Sequence, residues 1–127
     1  MKNIISTEKA PKAIGPYSQA VEVNGIIYTS GVIPINPETN ELVTGDIATQ
    51  AKQAIGNLVA LLNAAGSSAE DVIKTTVFIK DMNDFAAINE IYSTFFITNC
   101  PARSCVEVAR LPKDVLIEIE AIAIKSR

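Results

Sequence analysis

The stretch Val115-Leu-Ile-Glu-Ile-Glu-Ala-Ile-Ala-Ile124 alternates with period two, yet it is apolar on both of the faces that this alternation creates. Val115, Ile117, Ile119, Ala121 and Ala123 share one side. Leu116, Glu118, Glu120, Ile122 and Ile124 share the other. A strand of this kind needs a second layer on each face. A chain of 127 residues is one domain and buries only about 65% of its unfolded surface by itself. With a mean hydropathy of +0.24, the unserved face is expected to be covered by copies of the same chain.

The remaining elements follow from local pattern. Asn24-Gly25 separates 17–23 from 26–30, and both residues tolerate the positive φ of a type I′ turn, so a β-hairpin is predicted. From Asp46 to Ala65, Ile47, Ala51, Ala54, Ile55, Leu58, Leu61 and Leu62 recur at three and four, which predicts a helix capped by Thr44 or Asp46 and stopped at Gly66. Residues 72–80 are β-branched and read as a strand. A second helix is expected from about Asn83 to Thr98, with Phe85, Ile88, Tyr92, Phe95 and Phe96 on one side and Asp81 or Asn83 as its cap. Two strands, 102–109 and 115–124, are expected to close the chain as neighbours across Arg110–Asp114. Two helices cannot cover both faces of such a sheet, so the expected architecture is an α+β sandwich with both on one face.

Composition excludes several chemistries. With no histidine there is no Ser-His-Asp or Cys-His machinery and no imidazole-ligated metal. Two cysteines, Cys100 and Cys105, fall short of a four-thiolate site and read as free thiols. The first residues lack the apolar run of a signal peptide, and no segment is as apolar as a membrane span, so a cytoplasmic location is expected. A net charge of −3 and a pI near 4.9 argue against a broad phosphate-binding surface; nucleic acid is not an expected partner.

Glu118 and Glu120 stand out in an otherwise apolar row. They read either as edge acids paired with Lys or Arg, or as partly desolvated carboxyls able to take and return a proton. Arg103, early in the preceding strand, is either a solvated strand residue or a bidentate grip for a carboxylate. Whether Arg103 and Cys105 share a face with Glu120 is set by strand register, which one bulge reverses. Cys105 reads as a small buried hydrophobe, Tyr17 as a strand-start ring at a pocket mouth, and Gly31 as a bare backbone position open to a ligand. Asn89 is uninformative on its own.

Taken together, AIGPYSQA at 13–20, YTSG at 28–31, VIKTTVFIKDM at 72–82, PARSCVEVARLP at 101–112 and IEIEAIA at 117–123 resemble the reactive-intermediate deaminases, the 2-iminobutanoate/2-iminopropanoate deaminase family. The resemblance spans nearly the whole chain. It implies a chorismate-mutase-like α+β fold of one domain over residues 1–127, a mixed sheet with two helices on one face, assembled as a homotrimer with sites in the clefts between subunits. It also implies a hydrolase without cofactor or metal that converts 2-aminoacrylate and 2-aminocrotonate, with their imine tautomers, to 2-oxo acids and ammonia. By motif, Arg103 would bind the substrate carboxylate and Glu120 would position or activate water. Tyr17 would line the cleft, Gly31 and Cys105 would offer backbone groups, and Asn89 would sit nearby. Arg103 and Glu120 are thus expected on neighbouring strands facing one small pocket. Val32 stands where many relatives have a polar amide, and catalysis is expected to survive that change. A non-catalytic sensor of small carboxylates, a chaperone-like oligomer, or a ribonuclease or translation inhibitor remain the alternatives.

Overall fold

A computed structural model describes all 127 residues. In chain order the elements are β1 (Asn3–Ile5), β2 (Ala20–Val23), β3 (Ile26–Thr29), β4 (Ile35–Asn36), β5 (Glu41–Leu42), α1 (Ile47–Ala64), β6 (Val72–Ile79), α2 (Phe85–Phe95), β7 (Ala102–Glu107) and β8 (Ile117–Ile124). Six strands form a mixed sheet in the order β1-β2-β3-β8-β6-β7, and β4 and β5 pair apart from it.

The predicted hairpin is β2–β3, with Asn24 at φ 51° and Gly25 at φ 80° as a type I′ turn demands. Helix α1 begins where Asp46 accepts a hydrogen bond from the Thr49 amide at 2.9 Å; Thr44 does not cap it. It ends in a Schellman turn: Gly66 sits at φ 87°, its N–H reaches the Asn63 carbonyl, and the Ser67 N–H reaches that of Leu62. Helix α2 is shorter than the pattern predicted. Asp81 caps a 3₁₀ turn over Met82–Asp84 first, and at the other end Phe96 leaves the helix to bury its ring 4.5 Å from that of Tyr92. The short strands β1, β4 and β5 carry too few residues to show a period and were not foreseen.

The last two strands are not neighbours. Because α2 connects β6 to β7, the chain returns parallel to β6 and pairs on its outer edge, Arg103 opposite Thr75 and Cys105 opposite Val77. β8 then crosses back to lie antiparallel between β3 and β6, so β6 separates the two strands expected to adjoin. One face of the sheet, with Ile27, Val77, Ile79, Ile117, Ile119, Ala121 and Ala123, packs on Ile55, Leu58 and Leu62 of α1 and Ile88 of α2. Both helices lie on this face, as expected. The opposite face carries no helix and leaves Ile4 58%, Ile124 48%, Tyr28 43% and Val106 43% exposed. No helix is long and apolar enough to cross a membrane.

Candidate active site

Arg103 faces the helices. Strand partners point to the same side of a sheet, and its partner Thr75 is fully buried there, bonded to the Tyr92 hydroxyl of α2 at 2.7 Å. From the edge strand the half-buried guanidinium reaches α2. Its Nη1 donates to Asn89 Oδ1 at 2.7 Å, and its carbon lies 4.8 Å from the Tyr92 ring centre and 5.4 Å from that of Phe85. The aromatic stripe of α2 therefore serves as a platform for this cation as well as core. The single ion pair of the chain is Arg110–Asp114, so Arg103 has no carboxylate partner and its remaining N–H groups are free to grip one. Cys105 lies on the same face, half-buried; burial pushes its thiol up while Arg103 pulls it down, so it stays a neutral packing group.

Glu120 faces away from the helices. It pairs with Thr76, one residue out of phase with Thr75, and shares the open face with Glu118, which pairs with Phe78. Neither acid is in an ion pair. Burial, and then the charge of Glu120, push the Glu118 carboxyl above the usual range. Within one chain, then, Arg103 and Glu120 do not face a common pocket: the sheet stands between them. The alternation that aims Ile119 and Ala121 at the core forces Glu120 outward, and parallel pairing with β6 forces Arg103 inward.

Gly31 and Tyr17 fall on the side of Glu120's strand rather than beside Arg103. Between Tyr28↔Ile122 and Val32↔Ile119 the β3 side takes four steps while β8 takes three, so one extra residue is inserted around Ser30 and Gly31. The Thr29 hydroxyl accepts from the Ala121 amide at 2.9 Å, catching a ladder donor that the insertion leaves free. Val32 is 6% exposed and turns into the core, where an aliphatic side chain is at home. Tyr17, half exposed, accepts from the Ile14 amide and lines a cleft of about 620 Å³ together with Ser30, Gly31, Val32, Lys12 and Lys113. Neither Arg103 nor Glu120 borders that cleft. Asn89 alone joins Arg103 directly.

Several positioning side chains escaped the sequence reading. Gln19 ties down the segment before Tyr17, accepting from the Thr7 amide and donating to the carbonyls of Thr7, Ala10 and Pro11. Asn57 of α1 donates to the carbonyls of Ile33 and Ile35, and Gln50 links the Val43 carbonyl to the Leu116 amide. Two amides seven residues apart on the buried stripe of one helix were the available signal. No three His, Cys, Asp or Glu side chains converge as a metal cluster.

Comparison with known proteins agrees with this architecture. Residues 7–125 match the family model described as Endoribonuclease L-PSP, and the chain belongs to that family. A RutC family protein of Pyrococcus abyssi is 60% identical over 124 residues, 98% of each chain. The 2-iminobutanoate/2-iminopropanoate deaminase of Escherichia coli K12 is 56% identical over 128 residues, covering 98% of this chain and 99% of its own. The crystal structure of E. coli TdcF with bound serine matches with a TM-score of 0.92 at 53% identity, over 98% of this chain and 99% of that one.

Proposed function

We propose that the chain is a deaminase, needing neither metal nor cofactor, that hydrolyses 2-imino acids, 2-iminopropanoate and 2-iminobutanoate with their enamine tautomers, to 2-oxo acids and ammonia. The observation that carries this reading is Arg103: a half-buried guanidinium, fixed by Asn89 and two aromatic faces, with no acid in its own chain. Full-length relatives that bear the deaminase name support it. Because one subunit holds Arg103 and Glu120 on opposite faces of its sheet, the reading requires a second copy. In a homotrimer, Arg103, Asn89 and Cys105 of one subunit meet Tyr17, Gly31 and Glu120 of the next, and the helix-free apolar faces are covered.

The chemistry asks little of the protein. An enamine takes a proton at C3 and becomes the imine. Water held by Glu120 adds to the electrophilic C2 and passes a proton through that carboxylate. The carbinolamine nitrogen receives it and leaves as ammonia as C=O forms. Arg103 holds the carboxylate throughout, and acid–base assistance of this kind contributes about 10²–10⁴-fold. The free thiols suit the reducing cytosol. A chain with no histidine and a pI near 4.9 offers neither an imidazole pair nor a broad phosphate-binding surface for RNA cleavage.

A serine or threonine dehydratase coupled to the protein, with semicarbazide trapping the imine, tests the reading. Trapping is expected to fall with wild type and to be restored by Arg103→Ala, with Arg103→Lys losing about 10²-fold or more in kcat/KM, since a point charge replaces a two-pronged grip. Glu120→Gln is expected to keep 2-oxobutanoate binding and lose turnover. Wild-type protein that leaves trapping unchanged refutes the proposal.

A further inference from the structure

The glycine at position 31 was read as an opening for a ligand, yet its bare Cα is already occupied from within the chain. A Cβ built at Gly31 would lie 1.9 Å from Glu118 Oε2 and 2.7 Å from its carboxyl carbon. Gly31 does not adopt a positive φ, so nothing in its backbone conformation demands glycine. What demands it is the Glu118 carboxyl, seated where a side chain would go. The contact falls at the inserted residue between β3 and β8, where the ladder is interrupted and the backbone is least held by pairing.

We propose that Glu118 is a positioning residue of the candidate site: packed against the bare Cα of Gly31, its carboxyl sets the height of the Ser30–Val32 backbone over the sheet and forms, with Glu120, an electrostatically linked carboxyl pair on the helix-free face. The kinetic part rests on the deaminase reading; the packing and the pairing do not. Two positions apart on a strand, the two acids are separated by about 7 Å, close enough for each to feel the other's charge. Little else on this face offsets them. β6 presents Thr76 and Phe78 beside them and Lys74 further along, in the row of Ile122. β3 presents the Tyr28 phenol in that same row. β7 presents Ala102, Ser104 and Val106, β2 Val21 and Val23, and β1 Ile4, none of them charged. At the far end of β6, Lys80 is turned to the Ala109 carbonyl and its charge acts on Asp114. The upward push on the Glu118 carboxyl agrees with this surrounding.

The Gly31 amide is a reporter of the contact. In ¹⁵N–¹H spectra recorded from pH 4 to pH 8, its resonance is expected to titrate with a midpoint above the ordinary glutamate value of about 4.3. Glu118→Gln is expected to abolish that inflection, and Glu120→Gln to move it to lower pH by a few tenths to about one unit, because a neighbouring anion has been removed. Gly31→Ala is expected to lower Tm by about 5 °C or more in the wild-type background and by much less in a Glu118→Ala background, where the space is free. In the imine assay, Glu118→Gln is expected to shift the acid limb of kcat/KM to lower pH, a change that a purely structural role does not produce. A Gly31 amide that ignores pH, an inflection that survives Glu118→Gln, or equal costs of Gly31→Ala in both backgrounds overturns the proposal. Absence of imine hydrolysis by wild type refutes the deaminase reading alone, and the Gly31 titration still decides this one.

Discussion

Replacing Tyr92 by Phe removes a single oxygen, and the structure says what that oxygen is for. Thr75 is completely buried beneath α2, and its hydroxyl has one partner, the Tyr92 hydroxyl at 2.7 Å. Burial pushes the Tyr92 phenol up, so both groups stay neutral and bonded at every working pH. In Tyr92→Phe the Thr75 hydroxyl is stranded in the core, at a cost of about 1–3 kcal/mol. Unfolding entropy of about 2.1 cal/mol/K per residue over 127 residues converts 2 kcal/mol into a Tm loss of about 7 °C. Thr75→Val strands the phenol instead and costs a similar amount. The double variant strands nothing, so its cost is expected to be smaller than the sum by about 1 kcal/mol or more. Denaturation of the four proteins at one fixed concentration measures the coupling, since assembly makes Tm depend on concentration. The phenyl ring remains beneath Arg103, so 2-oxo acid binding is expected to stay near the wild-type value. Additive costs, or an undiminished Tm in Tyr92→Phe, would show that this hydrogen bond is not what keeps Thr75 in the core.

Two further substitutions test the supports of the site. Asp46→Ala removes the cap of α1, and the Asp46 carboxyl is held below its ordinary range chiefly by the Thr49 amide and hydroxyl. That stabilisation is present above the unfolded carboxylate pKa and is lost as pH falls through the depressed one, so the Tm gap between variant and wild type should close in acid. Asn57→Leu leaves the Ile33 and Ile35 carbonyls without their donor and is expected to cost about 2–4 kcal/mol; hydrogen exchange over residues 30–36 should quicken while the far strand β1 is unaffected.

Much of the local structure was legible because it is written at short range. Asn24-Gly25 dictates a type I′ turn whatever surrounds it, and the stripe from Ile47 to Leu62 dictates a helix with one buried face. The alternation of β8 assigned every one of its side chains to the correct side, including Glu118 and Glu120 to the face without helices. The order of strands is a different kind of fact. That β7 pairs parallel with β6, and that β8 inserts between β3 and β6, depends on contacts among residues far apart in the chain, and one step of register turns a side chain from core to solvent. Residue type and approximate position of the guanidinium and the carboxyls were therefore readable from the amino acids alone. Only the assembled sheet decided that Arg103 points one way and Glu120 the other, and that a glutamate fills the space above Gly31, because non-local pairing and packing set those directions.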